Sequence, residues 1–264
     1  MNTAIETRSL SVTFATSAGL VTALHDLNIK IPKGTVFGFL GPNGAGKSTT
    51  MHVLLGFIEA TSGEAMIFGK NVREAIARQS IGYLPERPDT YPFLTGREVL
   101  HVSGKLFNLK KRIIRERTND LLEKVGLTAA ADRRTATYSR GMLQRLCLAQ
   151  ALINDPELVI LDEPTGGLDP FGRMDIRNII RDLRDAGKTV FFSSHELSEV
   201  ELICDHIAIV SDGHVIAAGP ADKLVPKGEN LERYFMRVVG ELSGSPTAKT
   251  ESVHETGEQE SRIE

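Results

Sequence analysis

The stretch from Gly41 to Thr49 reads GPNGAGKST, and no other part of the chain restricts its fold as much. Gly41, four intervening residues, Gly46, Lys47 and Ser48 have the spacing of a phosphate-binding loop, set between the apolar run VFGFL and the helix-like STTMHVLLGF. Glycines at 41, 44 and 46 let the backbone turn tightly enough for successive amide N–H groups to face an anion, and the following helix adds its positive end. Lys47 then offers a mobile cation to β- and γ-phosphates, while the Ser48 hydroxyl can ligate Mg²⁺ beside them.

The flanks extend this into an α/β reading. Upstream, IETRSLSVTF and VTALHDLNIKI alternate as strands, an antiparallel sheet leading into VFGFL, with Phe14 at the first strand's end where its ring can meet an adenine. Downstream, Thr95 and Glu98 form a capping box opening a helical stripe, Lys111 to Val125 gives a second helix, and LQRLCLAQALIN a third. ELVILDEP then reads as a buried parallel strand ending in adjacent carboxylates, Asp162 and Glu163, which are costly to place there unless they are used. Asp169 and Pro170 open another helix, KTVFFSS delivers His195, and HIAIV and HVIAAG pair across an Asp-Gly turn. Alternating strands and helices predict a mostly parallel sheet covered on both faces.

Composition narrows the class. The chain has 264 residues, 41% hydrophobic and 25% charged, with a net charge of −3, so no global field favours nucleic acid. The run KKRIIRER reads as a solvated helix face. Cys147 and Cys204 offer neither a disulfide framework nor metal-ligand spacing and read as small buried residues. No run approaches the ~18 apolar residues of a membrane span, and the N-terminus lacks a basic-then-apolar leader, so a cytoplasmic chain is expected.

GPNGAGKST, the YSRGM turn before a helix, the strand-terminal LDEP, GGLD and SSH fall in the order found in ATP-binding cassette ATPases, and the sequence resembles that family from Met1 to about Gly240. The resemblance implies a RecA-like core and antiparallel β subdomain (1–88 and 156–220), a helical subdomain (89–155), a C-terminal helix (221–240) and a head-to-tail homodimer around two ATP molecules. Residues 241–264, polar and acidic, are expected to be a disordered tail.

Carried over by resemblance, Gly41, Asn43, Gly44, Gly46, Lys47, Ser48 and Thr49 are the phosphate and Mg²⁺ site. Asp162 resembles the metal-holding aspartate, Glu163 the carboxylate that polarises the attacking water, and His195 the switch histidine at the γ-phosphate. Phe14 matches the adenine-stacking aromatic and Asp169 the dimer-crossing aspartate. Ser139 and Gly141 match the signature that binds the other subunit's γ-phosphate, with Arg140 replacing a glycine and Met142 a glutamine. Glu86 stands where the family usually has a glutamine that senses Mg²⁺ and touches the membrane partner.

Both departures, with IGYLPE and LERYFMRVVG, resemble the branch of stand-alone exporter ATPases whose permease is a separate membrane protein. The expectation is an ATPase at the cytoplasmic face of the membrane, peripheral, driving a permease dimer. The alternatives are a soluble cassette ATPase with a non-membrane partner and a regulatory binder that holds ATP without turnover. One cassette, no long coiled coil, and the joint presence of Lys47, Asp162, Glu163 and His195 weigh against them.

Overall fold

The computed structural model describes residues 2–17 and 19–242. Strands β1 (Thr3–Thr16), β2 (Gly19–Leu27) and β3 (Lys30–Pro32) precede β4 (Val36–Leu40), the phosphate-loop segment and helix α1 (Lys47–Leu54). Next come β5 (Ser62–Ile67), β6 (Lys70–Asn71), α2 (Ala75–Arg78) and β7 (Ile81–Leu84). Three helices follow without an intervening strand: α3 (Gly96–Leu106), α4 (Lys111–Lys124) and α5 (Arg140–Leu152). Then α/β alternation resumes with β8 (Leu158–Leu161), α6 (Pro170–Asp185), β9 (Thr189–Ser194), α7 (Leu197–Ile203), β10 (His206–Ser211) and β11 (His214–Pro220).

The central sheet has six strands in the order β11-β10-β4-β9-β8-β7, parallel except for the β10–β11 hairpin. A five-stranded antiparallel sheet, with β1 paired to β2, β3 and β5, lies against one of its faces. The period-2 pattern of a doubly covered strand explains how both faces are filled. In β4, Phe37 and Phe39 join the core shared with the antiparallel sheet and α1, whereas Val36 and Leu40 join the core beneath α5, α6 and α7. Strand β9 divides the same way, Phe191 to one side and Val190 and Phe192 to the other. Because β4, β9 and β8 are parallel neighbours, the phosphate loop, His195 and the Asp162–Glu163 pair all emerge at one edge, the C-terminal edge where open α/β sheets bind ligands.

The three-helix segment is tied down at both ends. Thr95 accepts from the Glu98 amide at 3.2 Å while Glu98 accepts from the Thr95 amide at 2.8 Å, closing the capping box. That pairing holds the Glu98 carboxyl below the usual carboxylate range, the backbone hydrogen bond from Thr95 being the main cause. At the far end the buried Gln144 amide of α5 donates to the Pro164 carbonyl at 3.1 Å, fastening the helices to the loop after β8.

One expectation needs correction. A single helix over 221–240 does not form; α8 (Ala221–Leu224) and α9 (Leu231–Leu242) are separate. Pro226 disfavours a helical conformation at Val225, which is extended at φ −84° and ψ 121°. Helix α9 also runs two residues past the expected boundary, and the rest of the tail expected at 241–264 lies outside the described residues. Among the described residues, no helix is long and apolar enough to cross a membrane.

Candidate active site

Two glycines show why the loop after β4 tolerates nothing larger. A Cβ on Gly41 would lie 2.4 Å from the Val210 carbonyl oxygen, so β10 presses directly on the loop. Gly46 has a φ of 97°, and a Cβ there would meet the Ala23 carbonyl at 2.8 Å and the Leu24 side chain at 2.6 Å. The loop is thus clamped between β2 and the β10–β11 turn, which fixes its amides before any anion arrives.

Lys47 is 7% exposed, and its ammonium donates to the carbonyls of Gly41 at 2.7 Å and Pro42 at 3.2 Å. It lies 3.8 Å from Glu163 Oε1. The other carboxylate oxygen, Oε2, meets His195 Nδ1 at 2.8 Å. Glu163 has φ 49°, a left-handed conformation uncommon for a side chain with a Cβ, and its amide donates to Ser193 Oγ at 2.9 Å. The same Ser193 hydroxyl donates to Asp162 Oδ1 at 2.6 Å, so one buried serine holds the Asp162 carboxylate and the Glu163 backbone.

These groups border a cleft of about 510 Å³ lined by loop residues Asn43, Gly44 and Gly46 to Thr49, by Glu163, Gly166 and Gly167, and by Glu86, His195 and Arg140. Among the described residues no cage of three or more His, Cys, Asp or Glu side chains exists to hold a metal by itself. The donor set still fits Mg²⁺, which needs only one or two carboxylates and a hydroxyl where phosphates complete its shell. Asp162 and Glu86 both act on the Tyr83 phenol, whose pKa is pushed up to about 12, by burial first and then by these two carboxylates.

The sequence-predicted residues divide between two places. Asn43, Gly44, Gly46, Lys47, Ser48, Thr49, Glu86, Glu163 and His195 share the cleft; Asp162 lies beneath it, 3% exposed, and Gly41 is buried at the loop's base. Ser139, Gly141 and Asp169 line a second groove of about 420 Å³. There Ser139 caps α5 by accepting from the Met142 amide at 3.3 Å, and Asp169 caps α6 by accepting from the Gly172 amide at 2.7 Å. Arg140 lines both openings. Phe14 is 37% exposed, opposite Val21, and is not among the cleft-lining residues. Sequence reasoning missed Ser193, although two serines closing an otherwise apolar strand were a visible signal.

A glycine-rich loop with a buried lysine, at the carboxyl edge of a parallel sheet beside paired acids, defines a P-loop α/β protein. Residues 24–166 match the family described as ABC transporter. Over 207 residues the chain is 47% identical to an uncharacterized ABC transporter ATP-binding protein of Nostoc sp. PCC 7120, covering 78% of this chain and 62% of that one. Over 229 residues it is 41% identical to the bacitracin transport ATP-binding protein BcrA of Bacillus licheniformis, covering 85% of this chain and 72% of BcrA. It also superposes on a solved ATP-binding subunit of an ABC transporter, with a TM-score of 0.80, 28% identity, and coverage of 89% of this chain and 99% of that one. The chain belongs to the ABC transporter family.

Proposed function

We propose that this chain is the ATP-hydrolysing subunit of an exporter, two copies closing around two MgATP to drive a separate membrane permease. The observation that carries the reading is the contact series Lys47–Glu163–His195 on the wall of the loop cleft. Phosphoryl transfer to water needs cationic support for the phosphates and a base that orients the nucleophile, and both requirements meet at Glu163.

Lys47 presents its ammonium to β- and γ-phosphate oxygens from a position already fixed by two loop carbonyls. Glu163 accepts the proton of the attacking water, its carboxylate oriented by His195 and its backbone by Ser193. Mg²⁺ would be held by Ser48, Asp162 and Glu86, and would supply charge neutralisation at the phosphate oxygens. Phe14, exposed on β1 and not among the cleft-lining residues, is the adenine platform, with the base reaching beyond the cleft to meet its ring.

The second groove supports the dimer. Ser139, Gly141 and Asp169 open there rather than on the loop cleft, so a phosphate held by this chain is completed by the other copy's groove. Support for transport is the resemblance to BcrA, whose name describes bacitracin transport.

The test is steady-state hydrolysis of MgATP by the purified chain. Glu163→Gln should lower turnover by about 100-fold or more while ATP binding is kept; unchanged turnover would remove Glu163 from this role. For the permease, gentle solubilisation of native membranes should recover a multi-helix protein with the chain in moderate salt. Recovery with soluble partners alone would replace the transport reading by a soluble ATPase.

A further inference from the structure

Helices α6 and α7 run from the two loops that border Glu163, and two arginine–glutamate pairs staple them together. Arg177 Nη1 donates to both carboxylate oxygens of Glu199 at 2.7 Å. One turn nearer the site, Arg173 is divided between two partners. Its Nε donates to the Leu168 carbonyl at 3.1 Å, and its Nη1 donates to the Glu196 carboxylate. Leu168 precedes Asp169 in the loop bordering the second groove, and Glu196 follows His195 directly.

Glu196 spends its carboxylate on this contact rather than on its own helix. It occupies the N-cap of α7, where a short polar side chain would bond the helix's own amides, yet it makes no side-chain cap. Its carboxylate turns to Arg173, and Ser194 Oγ accepts from the Glu196 amide at 2.9 Å instead. The backbone that carries His195 is therefore held on both sides, by Ser194 behind it and by the Arg173–Glu196 pair ahead. His195 needs that support. Its side chain is 56% exposed, and its contact with Glu163 at 2.8 Å must be made against the rotamer freedom of an exposed ring.

We infer that Arg173 is a positioning residue, which couples the 166–169 loop to His195 and so sets how Glu163 is presented. The inference rests on the ATPase reading above and adds a path to it. Displacement of the loop by a second copy pulls on the Leu168 carbonyl, and the rigid guanidinium fork passes this to Glu196 and the neighbouring histidine. Lysine cannot replace it, because a single ammonium on a flexible stem does not fix two acceptors in one plane.

The experiment compares the wild-type chain with Arg173→Ala, Arg173→Lys, Glu196→Ala and the Arg173→Ala/Glu196→Ala double variant, well below the melting temperature of each. Turnover and KM for MgATP are measured together. Arg173→Ala should lower kcat by about tenfold and leave KM within about threefold, since Arg173 touches no nucleotide, and Arg173→Lys should recover little of the loss. The double variant should be no slower than the worse single one, because both remove the same link. A residue that merely staples two helices would lower the melting temperature and leave kcat of the folded protein unchanged. That outcome, full rescue by lysine, or losses that multiply in the double variant would each overturn the inference. A wild-type chain without ATP turnover would instead sink the ATPase reading itself.

Discussion

Among the helix N-termini that face open clefts, those of α1 and α5 are equipped differently. At α1 the chain provides the whole cationic end: the loop is clamped by β2 and the β10–β11 turn, and Lys47 is buried with Glu163 3.8 Å away. At α5, Ser139 is exposed, spends its hydroxyl on capping its own helix, and opens on a groove bordered by Asp169 and Phe171. The first is pre-organised for an anion in a single copy. The second has a helix end, a hydroxyl and the guanidinium groups of Arg140 and Arg145, but among the described residues no lysine lines it, which fits the proposed completion by another copy.

Removing a key group from each end tests this difference, and the larger effect belongs to α1. Lys47→Ala should weaken ATP binding by about 100-fold even in dilute protein, because a buried charge and its paired Glu163 are both disturbed. Isothermal titration at a concentration too low for dimers would measure it. Ser139→Ala should leave that dilute affinity within about twofold and lower turnover by about tenfold, the value of one hydrogen bond to a charged phosphate. If Ser139→Ala weakens binding in dilute protein as Lys47→Ala does, the two ends are not different in kind.

The contrast also explains what was legible in the sequence. The α1 end follows from local rules: glycines where the backbone must turn, lysine after them, an apolar strand before. Most strands and helices followed from alternation with cap and turn signals, and the Thr95–Glu98 box from a four-residue pattern, but α2 and the break between β2 and β3 did not. What escaped depends on pairings distant in the chain. Ser193 acts on Asp162 and Glu163 only because β9 lies beside β8, and Arg173 meets Glu196 only because α6 and α7 pack together. No spacing rule connects an arginine to a glutamate 23 residues away. The C-terminal helix was mistaken for a different reason, since Pro226 announced a break in the periodic pattern that the segment's apolar residues concealed.

The smallest predicted effect reads the charge at the α1 end directly. Tyr83, on β7, has its phenol pKa raised from 10.0 to about 12, mainly by burial and further by Asp162 and Glu86. A raised folded-state pKa means that the neutral phenol is the form the fold favours. Its stabilising contribution is therefore fully present below pH 10 and lost as the pH rises through about 12. Tyr83→Phe removes this titration, so its unfolding free energy should fall less steeply over that interval than the wild type's, by about 1 kcal/mol after screening of a partly exposed group. Glu86→Gln should move the tyrosinate absorbance step assigned by Tyr83→Phe to lower pH, because one of the two carboxylates opposing ionisation is gone. A step that stays in place would put the Glu86 charge out of reach of Tyr83 and would remove that support for placing the Glu86 carboxylate beside the Asp162 side of the cleft.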